Sequence, residues 1–369
     1  MDGLRRVLVL NCGSSTLKWA VLDAADESTV SEGCERLLEA EAVPIRAVLD
    51  RVGDVDAVGH RIVHGGALFR ETVLVDAHVR AGLESLVELD PLHMRRALSA
   101  VDAVRARLPT LPQFAAFDTA FHATIPEPAA GYGLPFEWTE RFGLRRFGFH
   151  GLSVAHATER AREMTGRTPP RLVVCHLGSG CSVTAVMAGR SVDTTMGFTP
   201  LEGLMMGTRS GSVDPGLLLH LQLQCGLGPA ELWEALTEKS GLLGLSGVSG
   251  DLREVLAAAD AGSARAALAY ERFVLSAKRA IGSMMAVLGG LDALVFTGGI
   301  GENSPSVRRD LVSSLAFAGA QLDDGANGVA MTDVDVAGSE STVHILVVRS
   351  REDLVILHEL IRFRAGSAD

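Results

Sequence analysis

Small polar residues and one lysine follow the first apolar stretch of the chain, and their types suit phosphate binding. Residues 7–21 read VLVLNCGSSTLKWAV, so two apolar runs flank a Gly/Ser-rich turn, which predicts a β-hairpin. The amides of this turn and the hydroxyls of Ser14, Ser15 and Thr16 can surround an anion. Lys18 lies two residues past Thr16, on the same face of the second strand. The stretch predicts a phosphate-binding hairpin, and an ordinary surface hairpin with serines in its turn is the alternative.

The same plan occurs again later in the chain. Residues 172–186, LVVCHLGSGCSVTAV, repeat the order of strand, small-residue loop and strand. Residues 293–304, ALVFTGGIGENS, place a third small-residue turn after an apolar strand. Two similar hairpins about half a chain apart indicate a duplicated domain. We expect the two hairpins to face each other across a cleft and to hold a polyphosphate between them.

Four charged or titratable side chains lie at predicted strand ends or in glycine-rich loops. Arg61 stands between two histidines in GHRIVHGG and is either part of an anion site or a salt-bridged surface residue. Asp118 ends an apolar strand and is either a functional carboxylate or a turn former and helix N-cap. His150 lies between Phe and Gly and is either a packed, hydrogen-bonded residue or a functional residue in a cleft. Arg209 lies in a long glycine-rich loop, residues 191–216, and loops of that length are usually functional.

The predicted secondary structure places these groups on alternating strands and helices. Strands are predicted at 7–10, 17–22, 56–62, 113–119, 172–177, 181–186, 293–297 and 343–348. Helices are predicted at 44–52, 79–104 (interrupted at Asp90-Pro91), 154–165, 217–223, 231–239, 263–288 and 354–364. Loops or turns are predicted at 191–216, 242–249 and 298–304. This alternation is typical of an α/β fold.

Composition limits the class of protein further. A chain of 369 residues is expected to form two domains. Its formal charge of −11 argues against nucleic acid or an anionic membrane as partner. No apolar run approaches the roughly 20 residues that span a bilayer, and the N-terminus has no secretory pattern. Five scattered cysteines without a CxxC pair predict reduced thiols in a cytoplasm and no cysteine metal site.

Taken together, the motifs resemble those of the acetate kinase family. NCGSSTLK, GHRIVHGG, FDTAFH, RRFGFHGLS, HLGSG, DTTMGFTPLEGLMMGTRSG and FTGGIGENS occur in the family's order over nearly the whole chain. The resemblance implies a duplicated, two-domain actin/hexokinase/Hsp70-like (ribonuclease H-like) α/β fold with the nucleotide in the cleft between the domains. It also implies an N-terminal domain at 1–150, to which the last helix (about 354–369) returns, and a C-terminal nucleotide-binding domain at 151–353.

The resemblance implies a role for each matching residue. The catalytic group would be Asp118, His150, Arg209 and Arg61, while Asn11 and Glu352 would bind or position Mg²⁺ or Mn²⁺. ATP or ADP would be held by Lys18, Ser14, Thr16, His176, Leu177, Gly178, Ser179, Gly180, Asp251, Leu252, Arg253, Gly299, Ile300, Gly301, Glu302 and Asn303. The acetate pocket would comprise Arg61, Val63, Leu92, His93, Phe149 and Pro200. Because acetate is already ionised at neutral pH, we expect Asp118 to organise the Mg²⁺ shell or to orient Arg61, and not to act as a base.

The implied reaction is reversible, Mg²⁺-dependent, in-line transfer of a phosphoryl group between ATP and acetate, giving acetyl phosphate and ADP. A related kinase acting on propionate or butyrate is the first alternative, because it differs only in pocket volume. A non-catalytic nucleotide-binding clamp of the same fold is the second. The joint presence of Asn11, Arg61, Asp118, His150 and Arg209 speaks against the clamp, which needs few of them. Since the family's members are dimers, a cytoplasmic homodimer is expected.

Overall fold

The computed structural model describes residues 4–13, 16–36 and 45–366, without the side chain of Leu92. Contacts divide this chain into two compact units. The first contains the residues up to Ala123, Phe149–His156 and the C-terminal part from Arg351. The second contains Thr124–Gly148 and Ala157–Ser350. Each unit is built around one six-stranded mixed sheet.

The sheet of the first unit combines an antiparallel hairpin with parallel strands. Its strands are β1 (Arg6–Cys12), β2 (Thr16–Asp23), β3 (Thr29–Arg36), β4 (Ala57–Ile62), β5 (Val73–Leu74) and β6 (Gln113–Phe117), in the order β3-β2-β1-β4-β6-β5. The hairpin β1-β2 is antiparallel, as predicted, whereas β1, β4 and β6 run parallel. The short edge strand β5 is antiparallel to β6.

The sheet of the second unit repeats this plan. Its strands are β7 (Arg171–Leu177), β8 (Cys181–Met187), β9 (Arg190–Thr194), β10 (Ala293–Thr297), β11 (Val334–Asp335) and β12 (His344–Val347), in the order β11-β12-β10-β7-β8-β9. Strands β7, β8 and β9 form an antiparallel meander, β7, β10 and β12 are parallel, and β11 is an antiparallel edge strand. The same pairing pattern in both sheets confirms the predicted duplication.

Fifteen α-helices and three short 3₁₀ helices occupy the described ranges. The α-helices are α1 (Ile45–Val52), α2 (Ala77–Ser85), α3 (Pro91–Arg107), α4 (Glu127–Ala130), α5 (Phe136–Phe142), α6 (Gly151–Thr165), α7 (Pro215–Leu223), α8 (Pro229–Glu238), α9 (Gly241–Ser246), α10 (Leu252–Asp260), α11 (Ala264–Leu288), α12 (Gly298–Asn303), α13 (Pro305–Val312), α14 (Asp324–Val329) and α15 (Glu352–Gly366). The 3₁₀ helices span Val87–Leu89, Ala120–Thr124 and Ser313–Ala318. Across these ranges every helix falls short of the length and apolarity that crossing a membrane requires.

The middle of strand β1, residues 7–10, is continuously apolar because helices cover both faces of its sheet. Successive side chains of a strand point to opposite faces. Leu8 and Leu10 belong to a cluster that includes residues of α1 and α3. Val7 and Val9 belong to a second cluster, which includes residues of α15 on the opposite face. A strand that is buried on both faces needs a continuous apolar run, and this explains the sequence of β1.

Several elements differ from those predicted. Strands β3, β5 and β11 were not predicted, and the long loop at 191–216 begins inside β9. The predicted turns at 242–249 and 298–304 were wrong, because they contain the helices α9 and α12. Hydrogen bonds to other segments outweigh the turn preference of this Gly/Ser-rich composition. In α9, Leu242 N donates to the carbonyl of Met206, which lies outside the helix. In α12, the C-terminal carbonyls accept hydrogen bonds from the side chain of Arg308.

One segment groups differently from the implied domains. Residues 124–148, which precede the implied boundary at residue 150, pack with the second unit. Thr124 Oγ1 donates to Ser191 O at 2.7 Å, and Arg146 Nη1 donates to Thr195 O at 3.1 Å. The last helix, α15, packs on β1 and β4 of the first unit. The domain bounds themselves stay a prediction.

Candidate active site

The carboxyl ends of the parallel strands of the first sheet bring three polar side chains together. Asn11 lies near the end of β1 and is the register partner of Arg61 on β4. Asp118 directly follows β6, and its N–H donates to Ile62 O of β4 at 3.0 Å. Parallel strands of an α/β sheet end at one edge, which is where such folds place their ligands. Sequence spacing could not show this, because Arg61 and Asp118 are 57 residues apart.

The guanidinium of Arg61 connects these side chains. Its Nε donates to Asp118 Oδ1 at 2.9 Å, and its Nη2 contacts Asp118 Oδ2. Its Nη1 donates to Asn11 Oδ1 at 3.1 Å. An arginine carries five N–H groups, so the described residues use three, and two remain on Nη1 and Nη2. Both remaining donors lie in the plane of the guanidinium, and each is of the type that binds carboxylate oxygens.

Glu352, at the start of α15, adds a second carboxylate to the cluster. Its Oε2 accepts from Asn11 Nδ2 at 3.0 Å and lies 3.4 Å from Arg61 Nε. The side chains of Arg61, Asp118 and Glu352 are 13%, 1% and 17% exposed, so little water screens them. With all three groups ionised, the cluster carries one excess negative charge. An excess of negative charge beside amide and carboxylate oxygens suits a hard divalent cation.

Burial and charge pairing act in opposite directions on this cluster. Burial raises the pKa of Asp118, the charge of Arg61 lowers it and Glu352 raises it, with a net shift above the ordinary value. Burial lowers the pKa of Arg61, but Asp118 and Glu352 raise it to a value above the ordinary one. Arg61 is therefore charged at every relevant pH, and its two-point contact keeps Asp118 a carboxylate at neutral pH.

Asp118 is also tied to His150 through the backbone. Gly151 N donates to Asp118 O at 2.8 Å, and His150 O accepts from Val154 N at 2.9 Å at the start of α6. His150 has a left-handed φ of 61°, which is uncommon for a residue with a side chain. The preceding carbonyl, that of Phe149, accepts from His122 Nε2 at 3.0 Å.

His122 is a buried residue beside this cluster that sequence reasoning missed. Burial lowers its pKa to about 4, so the ring is neutral and its Nε2–H donates to the backbone. The sequence places it four residues after Asp118 in FDTAFH, but nothing there distinguishes it from a surface histidine. His60 is likewise buried, with its pKa lowered to about 4, and its Nε2 contacts Gln113 Oε1 at 2.8 Å. His60 is thus part of the core and not an anion ligand.

The turn of the first hairpin lies at the same sheet edge. Gly13 N donates to Thr16 O at 2.8 Å, and Lys18 is the register partner of Asn11, so both project from one face. Arg96 of α3, which sequence reasoning also missed, donates from Nη1 to Gly13 O at 3.4 Å. Ser14 and Ser15 lie outside the described residues. Burial raises the pKa of Cys12 to about 12, so this thiol is protonated and not a nucleophile at neutral pH.

The residues expected around the acetate methyl group fall in both units. Val63 and Phe149 of the first unit are buried, whereas the side chain of Leu92 lies outside the description. His93 Nδ1 donates to both oxygens of Asp90, at 2.9 and 3.0 Å, which directs Nε2 away from that carboxylate. Pro200 belongs to the second unit, where its carbonyl accepts a hydrogen bond from Arg209.

In the second unit, the segments expected to hold the nucleotide converge at the ends of β7 and β10. A Cβ placed on Gly178 would lie 3.7 Å from Gly299 N, and one placed on Gly298 would lie 2.8 Å from Leu177 O. Ser179 O accepts from Gly207 N at 3.2 Å, which joins this loop to the segment carrying Arg209. At Gly298 the approach is too close for a side chain and φ is positive, which explains this glycine, whereas a Cβ at Gly178 would make only an ordinary contact. His176 and Gly180 complete the loop, and both are partly exposed.

Arg209 is held by the loop that carries it. Its Nη1 donates to Pro200 O at 3.0 Å and contacts Met206 Sδ at 3.7 Å, while its backbone O accepts from Met206 N at 3.1 Å. Its charge also acts on Cys181, whose pKa burial nevertheless raises to about 12. Arg209 therefore lies beside the glycine-rich loop at 176–180 of the same unit.

The two remaining nucleotide segments are stabilised largely by their own contacts. Asp251 caps α10, accepting from Arg253 N at 2.9 Å and pairing with the exposed Arg253 side chain, whereas Leu252 is buried. In α12, Glu302 Oε1 accepts from Gly298 N and Asn303 Nδ2 donates to Gly299 O. Ile300 and Gly301 lie between them. Their polar side chains thus shape the backbone, which leaves backbone amides as the groups available to a ligand.

Comparisons with known proteins agree with this architecture. The fold is the duplicated α/β fold of the actin, hexokinase and Hsp70 class. An acetate kinase from Nostoc punctiforme is 41% identical, over 95% of this chain and 97% of its own length. The crystal structure of an acetate kinase from Porphyromonas gingivalis has a TM-score of 0.89 and 35% identity, covering 97% of this chain and 99% of its own. A propionate kinase from Francisella tularensis also has a TM-score of 0.89 and 35% identity, covering 96% and 98%.

The Acetokinase family model matches residues 38–358 of the chain. The protein therefore belongs to the acetokinase family. The family resemblance inferred from the seven motifs is confirmed. The individual roles of the site residues stay proposals.

The close approach of Gly151 to Asp118 generates a test of the site. A Cβ at Gly151 would lie 2.1 Å from Asp118 O, so the backbone must shift in a Gly151→Ala variant. Because this contact links Asp118 to His150, we expect kcat to fall about 100-fold, as small misplacements of reacting groups do. Circular dichroism checks that the variant is folded, and steady-state kinetics of phosphoryl transfer between ATP and acetate give kcat.

Gly133→Ala is the matched control, because an added Cβ there meets nothing within 4 Å. Its kcat should equal that of the wild type. A folded Gly151→Ala protein with wild-type kcat would show that this backbone contact does not position the site.

Proposed function

We propose that this protein is a kinase that reversibly transfers the γ-phosphoryl group of ATP to the carboxylate of acetate, giving acetyl phosphate and ADP. The observation that supports this most directly is the buried Arg61, which keeps two N–H groups beyond those used by Asp118 and Asn11. A fork of this kind suits a small carboxylate. Membership of the acetokinase family supports the choice of acetate and ATP.

In this proposal Arg61 binds the carboxylate of acetate and Asp118 holds Arg61 in place. Asp118 is 1% exposed and contacts Arg61 through both oxygens, so it has no need to remove a proton from acetate. Val63 and Phe149 are buried and would supply apolar surface for the methyl group. Leu92, His93 and Pro200 are assigned to the acetate pocket from membership of the family alone. Fixing the acceptor in this way lowers the barrier by positioning.

Stabilisation of the transferring phosphoryl group falls to cations and hydrogen-bond donors. We assign His150 and Arg209 to this role, with Lys18 reaching the nucleotide phosphates. Phosphoryl transfer needs little covalent chemistry from a protein and depends on charge placed around the equatorial oxygens. The protonated thiols of Cys12 and Cys181 take no part.

The nucleotide is assigned to the glycine-rich segments of the second unit. These are the loop at 176–180, the start of α10 at Asp251, Leu252 and Arg253, and α12 with Gly299, Ile300, Gly301, Glu302 and Asn303. Thr16 and Ser14 of the first hairpin are assigned to its phosphates. The open space over Gly299 gives a nucleotide access to this backbone.

A divalent cation, Mg²⁺ or Mn²⁺, belongs to the proposed reaction. In the described residues no group of three or more His, Cys, Asp or Glu is arranged to hold a metal. Mg²⁺ is commonly held by one or two carboxylates together with substrate phosphates and water, so Glu352 and the amide oxygen of Asn11 suffice. The excess negative charge of the buried cluster fits this assignment. When bound, the cation would offset phosphate charge and polarise the transferred group.

The reaction class is tested by a hydroxamate-trapping assay with ATP, Mg²⁺ and acetate. Hydroxylamine converts acetyl phosphate to acetohydroxamate, which forms a coloured complex with Fe³⁺. Product that depends on both ATP and acetate supports the kinase. Its complete absence in folded protein, with nucleotide still bound, would favour a non-catalytic nucleotide-binding clamp.

A propionate kinase is the second candidate, because a propionate kinase matches this chain as well as an acetate kinase does. Both activities need the same carboxylate fork and nucleotide site. They differ only in the volume around the acyl chain. A butyrate-type kinase would need still more room. Comparing acetate, propionate and butyrate as substrates separates the three candidates.

We further propose that the protein acts as a homodimer in the cytoplasm. Helix α7 has no buried residue although it carries exposed Leu217, Leu219 and Leu223, which suits a surface covered by a second copy. The five cysteines are free, in keeping with a reducing compartment. Sedimentation equilibrium gives the mass directly, and a monomer at micromolar concentration would contradict the dimer.

The fork of Arg61 gives a prediction about acetate binding. Arg61→Lys keeps the charge but loses the planar donors, so we expect the KM for acetate to rise roughly 30-fold, equivalent to about 2 kcal/mol. Arg80→Lys is the matched control, because Arg80 makes a similar two-point contact with Asp102, at 3.0 and 2.8 Å, away from the site. An unchanged KM for acetate in folded Arg61→Lys would place the carboxylate elsewhere.

Arg209 gives a prediction about the transition state. We expect Arg209→Ala to lower kcat by at least about 100-fold, or roughly 3 kcal/mol, with a much smaller change in the KM for acetate. The reason is that a contact made mainly in the transition state affects the barrier and not ground-state binding. Arg190→Ala, at an exposed arginine near the start of the same segment, should behave as wild type. Near-normal turnover of Arg209→Ala would remove Arg209 from the catalytic group.

The buried Val63 gives a prediction about substrate size. Each extra methylene gains about 0.8 kcal/mol if it is buried without strain, but overpacking costs roughly 1 to 3 kcal/mol. We therefore expect kcat/KM to fall from acetate to propionate and again to butyrate, and Val63→Ala to narrow both gaps. Val75→Ala is the control. It also removes two methyl groups from a buried valine, but Val75 packs in a core cluster with residues of α2 and α3. Equal use of butyrate and acetate by the wild type would favour the longer-chain kinase.

A further inference from the structure

Arg308 of α13 is fully buried, although no carboxylate pairs with it among the described residues. Its Nε donates to Asn327 Oδ1 at 2.7 Å, and its Nη2 donates to Asn327 O at 3.0 Å. Its Nη1 donates to two further backbone carbonyls, Gly301 O and Glu302 O, both at 2.8 Å. Burying a charge without an opposite charge is unfavourable, so these four hydrogen bonds must offset a substantial desolvation cost.

The two carbonyls that Nη1 contacts lie at the C-terminal end of α12. The last carbonyls of a helix have no partner within the helix and carry a partial negative charge. A guanidinium that donates to these carbonyls supplies the missing hydrogen bonds and a positive charge opposite their partial negative charge. With only the six residues Gly298–Asn303, α12 is too short to be stable by itself. Its conformation therefore depends on contacts such as those of Arg308.

The opposite end of α12 is also fixed. Glu302 Oε1 accepts from Gly298 N and from Ser350 N, each at 3.0 Å. Between the two attachments, Gly299 faces open space, because an added Cβ there would meet nothing within 4 Å. The backbone of α12 is thus held rigidly from behind and left accessible in front, beside the glycine-rich loop at 176–180.

We propose that Arg308 is a positioning residue for the nucleotide, holding α12 in the conformation that binds ATP and ADP. This inference rests on the proposed function of α12 as part of the nucleotide site. Arg308 itself is buried and does not touch the nucleotide. It acts through the carbonyls of Gly301 and Glu302, which set the direction of the short helix.

A purely structural role is the competing explanation. In that case Arg308 would only join α13 to α14 through Asn327, and its loss would lower stability without changing nucleotide affinity. The neighbouring arginine makes such a connection, since Arg309 Nε donates to Asp324 Oδ1 of α14 at 2.7 Å. Within the part of the chain that the structure describes, no hydrogen bond or ion pair joins the Arg309 side chain to α12, and this side chain is half exposed. It is therefore a matched control on the same helix.

The test compares Arg308→Met, Arg308→Lys and Arg309→Met in full-length protein. For Arg308→Met we expect the KM for ATP to rise about tenfold, with the KM for acetate within about twofold of wild type. Arg308→Lys should lie between, because an ammonium group can donate to the carbonyls but lacks the fork that also holds Asn327. Arg309→Met should match the wild type in both constants.

Thermal unfolding with and without ADP gives a second measurement that does not need turnover. The rise in Tm at a fixed ADP concentration should be smaller in both Arg308 variants than in Arg309→Met and wild type. If Arg308→Met does not fold, Arg308→Lys decides. A folded Arg308 variant with wild-type KM for ATP and a wild-type response to ADP would overturn the proposal.

Failure of the proposed function would look different. In that case the wild type itself would form no hydroxamate from ATP and acetate. Calorimetric titration with ADP would then still test Arg308, because binding weakened about tenfold in Arg308→Lys supports its positioning role. Equal binding in variant and wild type would refute it.

Discussion

The contact between Arg61 and Asp118 is the interaction on which the first unit depends. Removing one partner of a buried ion pair leaves the other charge without compensation and costs about 3 to 5 kcal/mol. The two residues can meet only because β4 and β6 are parallel neighbours whose carboxyl ends coincide. The antiparallel hairpin and the helices on both faces in turn keep those strands buried. The fold thus places a charged fork in a nearly dry site, where it stays both ionised and rigid.

The second unit repeats the strand pairing of the first but uses its sheet edge differently. Around β7 and β10 the glycine-rich segments present backbone amides and carbonyls, and at Gly298 and Gly207 an added Cβ would lie 2.8 and 2.9 Å from a neighbouring carbonyl oxygen. A polyphosphate offers many oxygens and is well matched by many amides, whereas acetate offers only two and needs a charged fork. Under the proposed function, one scaffold would therefore provide two kinds of anion site, which differ in their loops and not in their topology.

Sequence reasoning identified the central strands, two hairpins and the long helices, because apolar periodicity and glycine-rich turns are local properties, but it missed β3, β5, β9 and β11. It left the role of Asp118 open, since its partner is 57 residues away and no local pattern records that contact. It was wrong about α12, whose glycine-rich sequence is typical of a turn but whose carbonyls are bound by Arg308. It also passed over His122 and Arg308, which look like surface residues until tertiary packing buries them.

The missed residues have a physical feature in common. His122 and Arg308 each donate hydrogen bonds to backbone carbonyls of residues that sequence motifs do identify, namely Phe149 for His122, and Gly301 and Glu302 for Arg308. Motifs identify groups that meet a ligand, because ligand chemistry restricts residue type and spacing. The groups that hold those motifs in place need only a donor at the right distance, which many residues in many positions could supply. Their identity is therefore set by the three-dimensional path of the chain, and only a structure shows that precise chemistry at the surface of a site depends on buried donors behind it.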